Sequence, residues 1–369
     1  MLNFKSKYPI GIDIGSRNIY AVQLKETRQG FAVRALAHRE LEAEIESIPD
    51  ANPGLVDAVK KMTKNRNFRG KSAVLHIPVK NISVLPIRFK VGATETLEEA
   101  ILRESEKYLS FPLEEAALDY PSLTPEVDGD GDAYRATVIA VRRKYIEQYL
   151  QLMKQAGLTV EAVDYRVSSL IRLYKHFHKV TKHPVILCYI GYFESMLAVV
   201  TEDSIIGQRI IPWGVHELIE KILANLELLK AKDNARLLLK THGLAYEDLE
   251  SADNSDDRAP DATMVNMRRA IFQVITPSID ELVFEFHKMI SGVMSEKQHT
   301  AFEGIYMYGH AALIHHFDRY FERRLNIPTR CINPMTTVAL SDGNKLPGID
   351  EGAPFALALG LAMRKVTWL

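Results

Sequence analysis

Two glycine-turn strand pairs, one near the start of the chain and one just past its middle, constrain the fold more than any other feature. The first runs through "GIDIGSRNIYAVQLK", Gly11 to Lys25, and the second through "VILCYIGYFESMLAVV", Val185 to Val200. Each is an apolar run of strand length, a break at Gly15 or Gly191, and a second apolar run. Helical sequence follows both. The repetition predicts two α/β halves built on one plan, with a cleft where their turns face each other. At 369 residues the chain is long enough for such a pair.

Between and after the pairs the pattern is regular. "GFAVRALAHREL" extends the opening pair by a strand, and "NPGLVDAVKKMTKN" predicts a helix with Pro53 in its first turn and Leu55, Val56, Val59 and Met62 along one face. "SAVLHIPV" reads as a buried strand. A separate module follows: strands in "ISVLPIRFK", "EAALDYPSLT" and "YRATVIAVRR", a helix in "TETLEEAILRESEKYLSF" capped by Thr94 or Thr96, and a helix "KYIEQYLQLMKQAGL" ending at Gly157. Helices dominate from Val215 to Ser295, interrupted by the acidic "ESADNSDDRAPDA". "GIYMYGHAALIHHFDRYFERRLNIPTRCI" predicts strand, glycine turn, helix and strand, with His315 and His316 diverging on the helix. "GAPFALALGLAMRKV" predicts one more apolar helix.

Composition removes several function classes. A formal net charge of -1 speaks against a nucleic-acid surface. Cys188 and Cys331 lie far apart in apolar segments, as buried thiols rather than a disulfide framework or zinc site, which fits a reducing compartment. No apolar run precedes the first strand and none is long enough to span a bilayer, so the expectation is a cytoplasmic protein that meets a membrane only through a partner. "DGDGD" departs from a calcium loop at Ala133 and Ile139, His176 and His178 lack a third ligand nearby, and neither Ser16 nor Ser195 has a recognisable base.

The candidate chemistry sits in "DIGSRN". Glycine lets backbone approach a phosphate, successive turn N–H groups make an anion nest, and an aspartate beside a triphosphate can position magnesium. Asp13, Gly15 and Ser16 fit those roles, with Asp13 the magnesium candidate. A Gly-Ser hairpin turn alone is more often ordinary structure.

Further segments give that turn a context: "RESEKYLSFPLEEAALDY", with Phe111, Pro112, Leu113 and Glu114, then "QAGLTVEAVD", "DNARLLLKTHGL" and "PFALALGLAMR". With Asp13, Gly15 and Ser16 in an Asp-x-Gly-Ser motif, the chain resembles the PilM family of type IV pilus assembly proteins, actin-like relatives of the cell-division protein FtsA. The resemblance implies an α/β, actin-like (ribonuclease H-like) two-domain fold with an FtsA/PilM-type inserted subdomain. The implied division is 1–77 for the first part of the first domain, 78–163 for the inserted subdomain and 164–182 for the return. It continues with 183–214 for the second-domain core, 215–298 for its helical subdomain, 299–348 for the rest of that core and 349–369 for a helix returning to the first domain. It also implies ATP and magnesium between the domains, and a groove between first domain and inserted subdomain for the cytoplasmic N-terminal peptide of a PilN-like inner-membrane protein. The faces of "ISVLPIRF" and "YLSFPLEE" are the expected groove walls. Other pilus assembly components are implied partners.

Four motifs depart from the family pattern. Tyr20 stands where a lysine is expected, and Tyr189 where the second Asp-x-Gly would begin before Gly191. Tyr192 and Phe193 bring bulk to that turn, and the glycine pairs at Gly214 and Gly309 are half lost to Trp213 and His310. Arg17 and Asn18 are candidates to compensate from the first turn. The departures imply a non-hydrolysing scaffold with weak or absent ATP binding; the alternative is an active ATPase whose nucleotide state gates pilus assembly.

Overall fold

A computed structural model describes residues 8–28, 30–41, 53–64, 67–78, 81–126, 133–178, 183–202, 204–225, 232–245, 262–297, 301–340 and 351–364. The "DGDGD" tip, the acidic loop and Trp368 fall outside them. The strands form three sheets. β1 (Ile10–Ile14), β2 (Asn18–Thr27) and β3 (Gly30–Glu40) are the predicted meander; β4 (Ser72–His76) and β8 (Thr159–Asp164) extend it in parallel, giving the order β14-β3-β2-β1-β4-β8 with the short β14 (Ala339–Leu340). β9 (Val185–Ile190), β10 (Ser195–Val200), β11 (Ile205–Ile211), β12 (Gly304–Gly309) and β13 (Thr329–Cys331) make a second sheet, ordered β11-β10-β9-β12-β13. The same layout, an antiparallel hairpin continued by a parallel strand, thus recurs in both halves.

The third sheet, β5-β7-β6, comprises β5 (Ile82–Lys90), β6 (Ala116–Glu126) and β7 (Ala133–Arg142). Helix α2 (Leu97–Glu106) packs on it and opens with a complete capping box: Thr96 accepts from the Glu99 N–H while the Glu99 side chain takes the Thr96 N–H. α3 (Arg143–Gln155) stops as expected at Gly157, whose φ of +83° is the left-handed conformation that glycine adopts at a helix end.

α1 (Pro53–Lys64) buries Leu55, Ala58, Val59 and Met62 against the first sheet. α4 (Arg166–Phe177) and the C-terminal α9 (Ala356–Ala362) lie together, and every residue of "ALALGLA" in α9 is buried, as an all-round apolar helix must be. Its small residues allow close contact: a Cβ at Gly11 in β1 would sit 2.1 Å from the Ala358 carbonyl. One core joins β2, α4 and α9 to Leu187, Tyr189 and Met196 of the second sheet, so apolar packing ties the two halves together.

α5 (Val215–Asn225), α6 (Lys232–Thr241) and the 36-residue α7 (Ala262–Lys297) pack beside the second sheet, and Trp213 Nε1 donates to Ser278 Oγ of α7 at 2.9 Å. No helix among the described residues is long and apolar enough to cross a membrane. One local expectation is corrected. His315 and His316 precede α8 (Phe317–Leu325) instead of lying on it; His316 has φ +57° and the rings stack with centroids 3.9 Å apart. A left-handed cap turns the chain sharply here, so adjacent side chains no longer diverge as they would on a helix.

Candidate functional site in the interdomain cleft

The two hairpin turns face each other, and the hole they enclose is small. Asp13, Gly15, Ser16, Arg17 and Asn18 line it from the first half and Gly191, Tyr192, Phe193 and Glu194 from the second, with Tyr20, Arg166, Tyr189 and His310. Its volume is about 40 Å³.

Most of the predicted residues engage other groups of the chain. Asp13, at the end of β1 and 2 % exposed, lies 2.5 Å from Nε2 of His76 at the end of neighbouring β4. Gly15 N–H donates to the Asn18 carbonyl at 2.9 Å and closes the first turn; Gly191 N–H donates to the Glu194 carbonyl at 3.0 Å and closes the second. Ser16 lines the hole between them. Arg17 reaches Glu40 on β3 at 3.4 Å, and Asn18 Oδ1 lies 2.8 Å from His38 Nε2. Gly214 is fixed by backbone crowding, since a Cβ there would fall 2.3 Å from the Tyr192 carbonyl oxygen. Gly309 has φ +78° and lets the chain leave β12 past the Ile190 carbonyl, which a Cβ would approach to 2.4 Å.

The aromatic departures are packed inward. Tyr20 stacks on His38 at 4.6 Å and meets Phe355 edge-on, and Tyr189 points its hydroxyl at the Pro354 carbonyl, 3.4 Å away. Burial pushes both phenols well above their usual pKa, and the Asp13 carboxylate pushes the same way. Tyr192 contacts Phe193, His216 and His310. The His310 ring is pulled down to about 4, chiefly by burial, and stands neutral at pH 7.

Sequence reasoning missed the charges that cross the cleft. Arg166, first residue of α4 and 5 % exposed, holds Glu194 of the second hairpin turn at 2.7 Å. Burial works against the Arg166 charge, and Glu194 with Asp13 behind it more than offsets this. At the cleft mouth Arg236 of α6 takes both oxygens of Glu40, at 3.3 and 3.4 Å. Burial raises the Glu40 pKa, but the hydrogen bonds and charges of Arg236 and Arg17 outweigh it and hold it below the usual carboxylate value. No spacing signal could have linked these pairs, which lie 28 and 196 residues apart.

Two larger cavities flank the floor. One of about 460 Å³ lies at the mouth between β2, β3, α5 and α6, with Tyr20, Glu40, Arg236, His310 and Phe355 on its walls. The other, about 430 Å³, is a groove between the first and third sheets. Ile82, Leu118, Asp119, Ile139 and Ile146 line one side and Asp164, Tyr165, Ser168, Arg172 and Arg364 the other. Of the two segments expected to wall the peptide groove, "ISVLPIRF" contributes Ile82 to this cavity and "YLSFPLEE" contributes nothing; β6, β7, β8, α3 and α4 supply most of the lining. Asp164 accepts from Arg172 at 2.8 Å and is paired with Arg364 at 3.0 Å.

The sequence matches the family of type IV pilus assembly protein PilM over residues 11–366. The chain belongs to that family. A solved PilM-PilN type IV pilus biogenesis complex contains a chain that this one resembles at 20 % identity and a TM-score of 0.75, covering 98 % of this chain and 99 % of that one. The ethanolamine utilization protein EutJ from Carboxydothermus hydrogenoformans is similar at 14 % identity and a TM-score of 0.54, covering 96 % and 89 %. The fold of this PilM family member is therefore the actin-like two-domain α/β fold.

Proposed function

We propose that this PilM family member is a cytoplasmic actin-fold adaptor that grips the N-terminal cytoplasmic peptide of a PilN-like inner-membrane protein, and that its nucleotide binding is weak or lost. The groove carries the reading. At about 430 Å³ it lies in the size range of ligand-binding clefts, about 300–1,000 Å³, and it pairs an apolar wall with a polar pole where Arg172 and Arg364 flank Asp164. Its position between the first sheet and the β5-β7-β6 sheet is where the family resemblance puts the peptide. Similarity to a PilM-PilN complex supports the choice of partner. Through that partner the protein would join the membrane assembly of the pilus machine without a membrane segment of its own.

The cleft floor supports the second half of the proposal. The Asp13 carboxylate is hydrogen-bonded to His76, the Arg166 cation is paired with Glu194, and the hole holds about 40 Å³. These side chains, so arranged, do not fit a triphosphate with magnesium. Calorimetry with a synthetic peptide of the PilN N-terminal residues tests the adaptor reading: micromolar binding without nucleotide is expected, and no binding with or without ATP would sink it. One observation favours the alternative ATPase: the cavity of about 460 Å³ beside the floor remains open, and Asp13, Gly15 and Ser16 keep their hairpin. Micromolar, magnesium-dependent ATP binding lost in Asp13→Ala would establish that reading instead.

A further inference from the structure

Three consecutive residues where β8 passes into α4 serve three different contacts. Asp164 lies in the groove and anchors Arg172 and Arg364. Tyr165, 7 % exposed, also lines the groove, but its hydroxyl donates to Gln208 on β11 of the second sheet. Arg166 lines the cleft floor and is held by Glu194 in the second hairpin turn. The segment thus places a groove wall and two attachments to the second domain in successive positions.

We propose that Glu194 and Gln208, neither of which lines the groove, are positioning residues that set its affinity for peptide by holding Arg166 and Tyr165. Groove occupancy and closure of the two domains are then one coupled equilibrium that runs without nucleotide. This rests on the reading of the groove as the peptide site.

The attachments suit that role. Arg166 Nε is buried without a hydrogen-bond partner, and the only carboxylate paired with its guanidinium among the described residues is Glu194. Loss of that carboxylate leaves a buried cation to relocate, and α4 moves with it, because Arg166 is the helix's first residue. The same helix presents Ser168 and Arg172, four residues apart and on one face, to the groove. A shift of its first turn therefore reaches the groove through one rigid element rather than through a chain of loose contacts. The Tyr165 ring is itself groove wall, so release from Gln208 frees a side chain that peptide would touch.

The test measures affinity for the synthetic PilN N-terminal peptide in nucleotide-free buffer. Glu194→Ala and Gln208→Ala should each weaken binding about fivefold, within the usual range of coupling between sites, and Glu194→Asp should restore part of it. Because the coupling is reciprocal, peptide added to the unmutated protein should slow hydrogen exchange at residues 191–194 and at Gln208, away from the groove. Unchanged affinity in both alanine variants, or protection confined to groove residues, overturns the coupling. Ser168→Trp, which fills the groove, separates the two claims. If it abolishes binding while the alanine variants bind normally, the groove stands and the coupling falls. If it binds like the unmutated protein, or if the unmutated protein does not bind, the groove reading fails and the coupling fails with it.

Discussion

The floor of the cleft and the groove beside the third sheet meet at the same short segment, residues 164–166, and both pair their charges internally, yet they differ in how much of those groups stays open to solvent. In the floor, Asp13 is turned to His76 and Arg166 to Glu194, and aromatic rings fill the remainder. In the groove, Arg364 keeps 37 % of its side-chain surface exposed while paired to Asp164, and about 430 Å³ stays open. A pocket whose paired charges are sealed from water has little free energy left to offer a ligand, whereas one whose paired donors stay partly exposed at an open wall can still exchange water for a partner. The difference gives the proposed division of labour its physical form: on that reading the cleft floor acts as architecture and recognition belongs to the groove.

If the floor is architecture, cutting its polar pairs should cost stability more than anything done in the groove. His76→Ala leaves the buried Asp13 carboxylate without that hydrogen bond, and leaving a buried polar group unsatisfied costs about 1–3 kcal/mol, more for a charged one. Urea unfolding should record a loss of about 2–3 kcal/mol, with added magnesium failing to restore it. A loss under about 1 kcal/mol would mean that the carboxylate is readily rehydrated, and the floor would then have room for a cation.

The floor should also be acid-sensitive. His310 has a folded pKa of about 4 against an ordinary value of 6.5, so between those values the unfolded chain binds more protons than the folded one. Its contribution is complete above pH 6.5 and is lost as pH falls towards 4, to the extent of about 3 kcal/mol. Burial lowers His38, His176, His178 and His242 as well, with the same sign. Denaturation midpoints at pH 7 and pH 4.5 measure the slope, and His310→Asn should flatten part of it. The groove responds differently: Ser168→Trp should cut peptide affinity at least tenfold while shifting stability by less than about 0.5 kcal/mol. A large stability loss there would erase the contrast.

Local features were legible because they depend on neighbours in sequence. The two hairpins, a threonine cap at Thr94 or Thr96, of which the structure uses Thr96, and the left-handed Gly157 all follow from spacing and from single-residue conformational preference. The aromatic departures at Tyr20 and Tyr189 were equally visible, and both rings are buried against the site. What could not be read was pairing through space. His76 meets Asp13 only because β4 lies parallel to β1, and Arg166 reaches Glu194 only because α4 begins at the cleft. Arg17 and Asn18, candidates to reach phosphates from the first turn, engage Glu40 and His38 of the adjacent strand, contacts that no spacing in the sequence announces. The lining of the groove was hidden for the same reason: β6 and α4 converge there from segments some 50 residues apart.

The smallest expected effect lies at the cleft mouth, where the comparison is sharpest because the pair is ionic yet wet. Arg236 and Glu40 join α6 to β3, with about a third of each side chain exposed and distances of 3.3 Å and longer. Water and salt screen such a pair, and it contributes roughly 0–1 kcal/mol despite spanning the two domains. Arg236→Ala should lower stability by that amount at low salt and by almost nothing at 1 M, where the screening length is about 3 Å. Because the Glu40 pKa is depressed, its share is present above the ordinary carboxylate value of 4.5 and is lost as pH falls below it. Salt-series unfolding of Arg236→Ala checks both signs. A salt-independent loss above about 2 kcal/mol would make the mouth, rather than the floor, the main polar tie between the domains, and nucleotide entry past Arg236 would then require breaking it.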